Sequence, residues 1–278
     1  ADGVRMQYLI ERIARNLKEL LGFIQRDLRQ SGFKPVAFEL RIQDEPDPED
    51  PAAPTVPPVE LTDGSGHTIR VIGTVDRVDA MELGGNTYLR VVDYKTGSKK
   101  FDLREVWHGL DCQMLLYLFT VVQKGGALFP NPKIAGVEYL WADPAPATES
   151  RPAQDAEPEP AVYPLEGLLI DEESIYRAMD TRGTGAFVPL RFSAKTGQVT
   201  AQAAKQHLAS EEKFARIRCH LDSLLTRMAE NLYGGNIAAV PFAPSSKSPC
   251  IYCDYRAVCR HADGEGERDL EQQQDPFE

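Results

Sequence analysis

Apolar residues recur at steps of three and four over residues 5–30, a spacing that predicts one amphipathic helix. The apolar run 35–42 predicts a strand, as do the longer runs 68–83 and 87–95. The turn at 84–86, Gly-Gly-Asn, lies between the last two runs, and a turn of this composition predicts a β-hairpin.

The second half of the chain continues the alternation of helices and strands. An apolar helix is predicted over 112–122, a strand over 133–142, a short helix over 172–180 and a long helix over 203–232. This order of elements predicts an α/β fold whose central sheet is partly antiparallel. We expect the 278 residues to form a single domain.

The formal net charge is −11, and much of the acid lies in two proline-rich segments. These segments, 43–66 and 143–162, are predicted to be solvated inserts, so the charge of the whole chain says little about any one groove. The polar end, 264–278, is predicted to fray. No apolar run approaches the roughly 20 residues of a membrane span. We therefore expect that the protein binds no membrane. A helix begins almost at Ala1, so we also expect the sequence to be a segment of a longer protein.

Five cysteines are present, and three of them, Cys250, Cys253 and Cys259, lie within ten residues. This is not the pattern of a secreted disulfide scaffold, and no secretory signal is visible, so we expect a reducing cytoplasm. The short spacings suit one metal ion or cluster. Three thiolates leave one ligand unassigned, and zinc is the generic interpretation.

The hairpin brings three charged residues to one face. If the turn lies at 84–85, Asp76 lies opposite Asp93; if it lies at 85–86, Asp76 lies opposite Lys95. Both registers place the three side chains on one face, because side chains alternate along a strand. Their neighbours on that face are apolar, and an unpaired charge there is expensive.

Two opposed carboxylates repel each other unless a cation lies between them. Carboxylate oxygens suit Mg²⁺ or Mn²⁺, and Lys95 places a positive charge near a bound phosphate. These residues predict metal-assisted phosphodiester hydrolysis. For a lone Asp-x-Lys motif, the plainer interpretation is a salt-bridged strand pair on a solvated face.

Several motifs in order resemble the RecB-type branch of the PD-(D/E)xK nucleases. GTVDRVD at 73–79 is similar to the second motif of that branch, and VVDYKTG at 91–97 is similar to its third. Gln113 and Tyr117, four residues apart on one helix face, match its Gln-x-x-x-Tyr pattern. The resemblance implies that this pair lines the active site and the DNA path; a partly buried polar pair is the alternative. It also implies a restriction-endonuclease-like core, a mixed central sheet flanked by helices, with a C-terminal cysteine knob.

The resemblance further implies a role for each residue of the site. The implied metal ligands are Asp76, Asp93 and the carbonyl oxygen of Tyr94, and the implied catalytic lysine is Lys95. Glu39 is a further candidate acid, and an ordinary edge-strand glutamate is an equal alternative.

The cysteine-rich segment 241–262 is most similar to the iron–sulfur end of these nucleases in the B subunits of bacterial AddAB helicase–nucleases. There, three C-terminal cysteines and one upstream cysteine hold a [4Fe–4S] cluster, which implies Cys250, Cys253 and Cys259 as ligands. No cysteine precedes Cys112 here. We therefore expect the cluster in the full-length protein and not in this fragment.

The resemblance implies a Mg²⁺- or Mn²⁺-dependent deoxyribonuclease, an exonuclease in double-strand-break repair and recombination. Its substrate would be a single-stranded DNA end leaving a helicase, with the strand that ends 5′ as the one cut. Its partner would be the A subunit of a helicase–nuclease. A stand-alone RecB-type or CRISPR-adaptation exonuclease is the runner-up. A catalytically inactive DNA-guiding scaffold and a zinc-binding interaction module are alternatives from other classes.

Overall fold

The structure, a computed structural model, describes residues 2–46, 48, 50–97, 100–144, 162–242, 249–259, 261, 266–268 and 275–277. The described strands are β1 (Lys34–Ile42), β2 (Thr55–Val56), β3 (Val59–Thr62), β4 (Thr68–Val71), β5 (Gly73–Leu83), β6 (Asn86–Lys95), β7 (Pro132–Trp141), β8 (Leu165–Ile170) and β9 (Leu208–Ala209). The described α-helices are α1 (Asp2–Gln30), α2 (Leu103–Trp107), α3 (Gln113–Lys124), α4 (Glu173–Met179), α5 (Ala201–His207), α6 (Glu211–Tyr233) and α7 (Arg256–Cys259). Short 3-10 helices span Gly125–Ala127 and Pro249–Tyr252.

A mixed seven-stranded sheet has the strand order β2-β1-β5-β6-β7-β8-β9, and helices flank it. Its centre is antiparallel from β1 through β5 to β6, whereas β6 and β7 run parallel. The connection between these two parallel strands contains α2 and α3, because a parallel pair needs a crossover. The predicted α/β fold with a mixed sheet is confirmed.

Two segments differ from the sequence prediction. The first acidic insert contains β2 and β3, in which Val56 and Val59 are buried. The long helix predicted over 203–232 is two helices, α5 and α6, separated by β9. The helix breaks there because Leu208 pairs with Leu169 at the edge of the sheet. Most of the second insert lies outside the described residues.

The internal contacts of the chain divide it into two compact units. The first comprises residues 1–59, 71–101 and 114–212, and the second comprises 60–70, 102–113 and 213–278. None of the helices in the described part of the chain combines the length and apolarity needed to cross a membrane.

The end of the second unit is partly packed. Phe277 is buried, and its ring lies edge-on to Trp107 and His220, with centroids 5.3 and 5.5 Å away. Asp275 forms an ion pair with Lys213 of α6. Residues 275–277 therefore differ from the frayed tail that composition predicted, because an aromatic ring and a salt bridge hold them.

In the first unit, α1 uses its last two turns to cover the sheet. Phe23 packs with Leu140, Tyr163 and Phe187 in a buried cluster, and two of its ring centroid distances are 5.1 Å. The earlier turns of α1 leave most of their apolar side chains exposed. The amphipathic pattern predicted the helix correctly, and the contacts of its final turns anchor it.

Five buried charged side chains also join α1 to the sheet. Arg77 pairs with Asp79 of the same strand at 2.9 Å, and Asp79 pairs with Arg90 of β6 at 2.7 Å. Arg90 lies 3.4 Å from Glu138 of β7 and 3.8 Å from Asp27 of α1. All five residues are at most 5% exposed. We call them the buried ionic cluster; each charge in it depends on its partners, because water is excluded.

The buried ionic cluster contains three carboxyl groups and two guanidinium groups, so a proton on one carboxyl group balances the charge. Burial raises the pKa of Glu138 to about 7, although the nearby Arg90 acts to lower it. Burial also raises the pKa of Asp27. A proton retained near neutral pH is therefore part of the folded structure.

We predict that Glu138→Gln removes part of the pH dependence of folding. In the unfolded chain Glu138 ionises near 4.5, whereas in the folded chain it keeps its proton to about pH 7. Its contribution to stability is therefore full below pH 4.5, falls as the pH rises to about 7, and then levels off. Between pH 4.5 and about 7, the unfolding free energy of wild type should fall by at most about 3 kcal/mol relative to that of the glutamine variant. Urea titrations at each pH measure this difference.

The matched control is Glu60→Gln, because Glu60 forms an exposed ion pair with Arg70 at 2.7 Å. The difference in unfolding free energy between Glu60→Gln and wild type should stay nearly constant between about pH 4.5 and 7. A Glu138→Gln curve that runs parallel to wild type over the same range contradicts the buried, proton-holding carboxyl group.

Candidate active site

The hairpin of β5 and β6 has the first of the two predicted registers. The turn at 84–85 is made by two glycines with φ of 60° and 79°, values that glycine adopts without steric cost. Leu83 pairs with Asn86, and the paired residues continue to Arg77 and Val92. This register places Asp76 and Asp93 just beyond the last pair, on the face predicted for them.

The two strands part beyond that last pair. β5 goes on pairing with β1, while β6 goes on pairing with β7, where Asp93 is aligned with Tyr139. In place of a further ladder bond, the Asp76 carboxylate accepts a hydrogen bond of 3.2 Å from the backbone N–H of Tyr94. Asp76 therefore does not pair with Asp93, although the register alone predicts that pair. The carboxylate enters the gap that opens between the strands.

The Tyr94 carbonyl oxygen points into the same gap. In a strand, the N–H and C=O of one residue point toward the same neighbour, and the Tyr94 N–H points toward β5. The next carbonyl, that of Lys95, accepts from Ala142 on the other side of β6, as the alternation requires. The gap therefore presents oxygen atoms of Asp76 and Tyr94 together.

Lys95 and Asp93 form an ion pair at the mouth of this gap. Lys95 Nζ lies 2.8 Å from Asp93 Oδ2, and the two side chains are 35% and 11% exposed. The ammonium group also lies 5.8 Å from the centre of the Tyr139 ring. The lysine is thus held beside the carboxylate and still reaches solvent, where an anionic substrate can approach.

The donor set fits a hard divalent cation. Two carboxylates and one carbonyl supply oxygen atoms, the ligand class that Mg²⁺ and Mn²⁺ prefer, and water completes such sites. Asp93 is 8% exposed. A carboxylate at this depth, close to a second one, is favoured by a neighbouring positive charge. Asp76, Asp93 and Tyr94 offer the oxygen donors that such an ion takes, and their role as its ligands stays a prediction.

A family model matches residues 1–260 of the chain, and it describes the PD-(D/E)XK nuclease superfamily. The chain belongs to this superfamily. Its mixed sheet with flanking helices is the restriction-endonuclease-like fold that the motifs implied.

Curated relatives include several B subunits of ATP-dependent helicase/deoxyribonucleases. The one from Symbiobacterium thermophilum is 32% identical over 283 residues, which cover 97% of this chain and 23% of that protein. Its counterpart in Thermoanaerobacter pseudethanolicus is 28% identical over 261 residues, 92% of this chain and 22% of that protein. This nuclease chain spans less than a quarter of the length of these relatives.

Tyr117 lies in α3 of the first unit and packs closely on the start of β5. A Cβ atom built at Gly73 would overlap the Tyr117 hydroxyl group and lie 2.6 Å from its Cζ. Gly73 is three residues before Asp76, so the close approach fixes the strand next to the site. Gln113, the first residue of α3, is assigned to the second unit. Its predicted role at the site stays a prediction.

Glu39 lies opposite Asp76 in the ladder of β1 and β5, because Phe38 pairs with Arg77 and Leu40 pairs with Val75. It lies in β1 between two residues that pair with β5, it is exposed, and its φ of 48° is unusual for a residue other than glycine. Within the described ranges, no three Asp, Glu, His or Cys side chains are grouped so that they could hold a metal ion. The role of Glu39 at the site stays a prediction.

The cysteine knob lies in the second unit. Cys250 belongs to a 3-10 helix, Cys253 follows it, and Cys259 ends α7. Cys253 and Cys259 are exposed, and all five cysteines of the chain are reduced. The described residues contain no grouped set of three thiols for a metal. The role of these three cysteines as cluster ligands stays a prediction.

Sequence reasoning missed the residues behind the site. The motifs assigned a role only to the backbone of Tyr94 and none to Arg77 or Asp79. In the structure, Arg77 donates a hydrogen bond of 2.7 Å to the Tyr94 hydroxyl group. The available signal was the charge at 77, 79 and 90, on the hairpin face opposite Asp76 and Asp93.

We predict that Gly73→Ala destabilises the nuclease domain by about 1–3 kcal/mol, because the added methyl group displaces the ring of Tyr117. Gly64→Ala is the matched control, since a Cβ there meets no atom of the described residues within 4 Å. Its unfolding free energy in urea should stay within about 0.5 kcal/mol of wild type.

A double-mutant cycle identifies the cause. In a Tyr117→Ala background the extra cost of Gly73→Ala should fall, because the clashing ring is gone. An unchanged cost in that background contradicts the close approach of Tyr117 to Gly73.

Proposed function

We propose that this chain is a metal-dependent DNA nuclease domain that hydrolyses phosphodiester bonds. The observation that carries the proposal is the gap between β5 and β6, into which the Asp76 carboxylate projects beside the Tyr94 backbone. The ion pair of Asp93 and Lys95 lies at the same point of β6. Membership of the PD-(D/E)XK nuclease superfamily supports the same chemistry.

Asp76, Asp93 and the carbonyl oxygen of Tyr94 would hold a Mg²⁺ or Mn²⁺ ion. Such an ion, when bound, activates water and polarises the phosphate. Lys95 would bind the phosphate and stabilise the negative charge that develops on it during cleavage. Its ammonium group is already placed beside Asp93, so little side-chain freedom is lost when the substrate arrives.

The wider setting of the domain follows from its relatives. The B subunits of ATP-dependent helicase/deoxyribonucleases match nearly the whole chain. We propose that the domain is part of a B subunit of this kind and works beside the helicase A subunit in the cytoplasm. Its substrate would be the single-stranded DNA end that leaves the helicase. The domain would act on this end as an exonuclease during double-strand-break repair and recombination.

Gln113 and Tyr117 would contact the DNA strand near the cleavage point. Tyr117 is 8% exposed and lies against Gly73. Tyr117 therefore packs directly against the strand that carries Asp76. Its contact with DNA is part of the proposal.

We predict that Asp93→Asn and Lys95→Ala each reduce cleavage of linear single-stranded DNA at least about 100-fold, because each removes a charge from the reacting centre. The assay follows an end-labelled oligonucleotide with Mn²⁺ or Mg²⁺ and the full-length protein. Lys133→Ala is the matched control: Lys133 also lies in a strand of the sheet but pairs with Glu211 at 3.7 Å on the surface. It should cleave at the rate of wild type.

Three outcomes contradict parts of the proposal. Full activity in both site variants contradicts the assignment of the residues, and cleavage that persists in EDTA contradicts the need for a metal. Equal degradation of circular and linear single strands contradicts the exonuclease. A wild-type protein that binds DNA without cleaving it would instead support the scaffold alternative.

We also propose that Cys250, Cys253 and Cys259 join a fourth ligand in the full-length protein to hold a [4Fe–4S] cluster. We predict that Cys253→Ala abolishes the visible absorbance of the cluster and lowers the melting temperature by several degrees, because the cross-link to the end of the chain is lost. Cys219→Ala is the control. Zinc without iron in the purified protein contradicts the cluster and supports the zinc module.

A further inference from the structure

Tyr94 connects the two faces of the sheet at the site. Its backbone N–H donates to Asp76 on the face that carries the carboxylates. Its side chain extends to the opposite face, where its hydroxyl group accepts a hydrogen bond of 2.7 Å from Arg77 Nη1.

These contacts close a ring of three links. Arg77 is the residue next to Asp76 in β5, and its guanidinium group holds the Tyr94 hydroxyl group. The Tyr94 backbone in turn holds the Asp76 carboxylate. A shift of Tyr94 therefore strains a contact on each face at once.

The guanidinium group of Arg77 is itself fixed. Its Nε lies 2.9 Å from Asp79 Oδ1, and its Nη2 donates to Asp79 Oδ2 at 3.1 Å. Asp79 is also bound by Arg90, which reaches Asp27 of α1. The buried ionic cluster therefore holds Arg77 through charges that cannot separate without a large desolvation cost.

The aromatic ring of Tyr94 is held as well. It packs against the cluster of Phe23, Leu140, Tyr163 and Phe187, and the Arg77 guanidinium carbon lies 5.6 Å from its centre. Both ends of the side chain are thus fixed, one by packing and one by a charge-assisted hydrogen bond.

We propose that Arg77 and the Tyr94 side chain are positioning residues that set the metal-holding geometry of Asp76 and the Tyr94 carbonyl group. The inference rests on the proposed function, because it concerns the same site. Mg²⁺ and Mn²⁺ need ligands in a narrow geometry, and outer contacts that orient the ligands commonly change metal affinity roughly 10- to 100-fold. The side chains of Tyr94 and Arg77 lie on the face of the sheet opposite Asp76 and Asp93.

The test compares two hydroxyl deletions in one strand. Tyr94→Phe removes the contact with Arg77 and keeps the ring. Tyr88→Phe is the matched control, because Tyr88 lies in β6 on the same face, and its hydroxyl group donates to Glu172 at 3.4 Å, away from the site. Mn²⁺ binding is followed without DNA, from the free-ion signal in electron paramagnetic resonance, and thermal melting is recorded beside it.

Tyr94→Phe should weaken Mn²⁺ binding about tenfold and raise the half-activating Mn²⁺ concentration similarly. Saturating Mn²⁺ should restore most of the cleavage rate, while Tyr88→Phe should bind Mn²⁺ like wild type. Arg77→Lys should repeat the Tyr94→Phe result, because lysine keeps the charge but lacks the fork that reaches both Asp79 and Tyr94.

Unchanged Mn²⁺ affinity in Tyr94→Phe, whatever happens to its melting temperature, overturns the inference. Equal weakening in Tyr88→Phe also overturns it, because the effect would then belong to the whole strand. A wild-type protein that binds no Mn²⁺ is a different result, since it overturns the proposed function and the inference together.

Discussion

Charges lie on both faces of one hairpin, and each set of charges must be balanced. On one face, Asp76 and Asp93 lie at the edge of an apolar core. On the other, the buried ionic cluster places Arg77, Asp79 and Arg90 under α1. Each set is costly by itself. Because the two sets share a backbone, the cluster that α1 closes on one face also fixes the strands that present the carboxylates on the other.

The parting of β5 and β6 turns this constraint into a site. While the strands pair, their backbone groups are used by the ladder, and no oxygen is available for a ligand. Beyond Arg77 and Val92 each strand pairs only with its other neighbour, so a carboxylate and a carbonyl group become available side by side. The close contact of Tyr117 with Gly73 supports β5 a few residues away. An open gap is therefore held by contacts on every strand that borders it.

Local chemistry explains what the sequence could predict. Two glycines that accept positive φ set the turn, and the turn sets the register that places Asp76, Asp93 and Lys95 on one face. The remaining features depend on partners that are distant in the chain. Asp27 meets Arg90 only because α1 returns to the sheet. The break between α5 and α6 likewise depends on an edge pairing of Leu208 with Leu169.

The most direct measurement of the central claim is the anomalous difference density of crystals soaked in Mn²⁺. The account predicts a strong peak in the gap between β5 and β6, within about 2.0–2.3 Å of oxygen atoms from Asp76, Asp93 and the Tyr94 carbonyl group. A soaked crystal with no peak there, in which Asp76 still accepts from the Tyr94 N–H and Lys95 still pairs with Asp93, would contradict it.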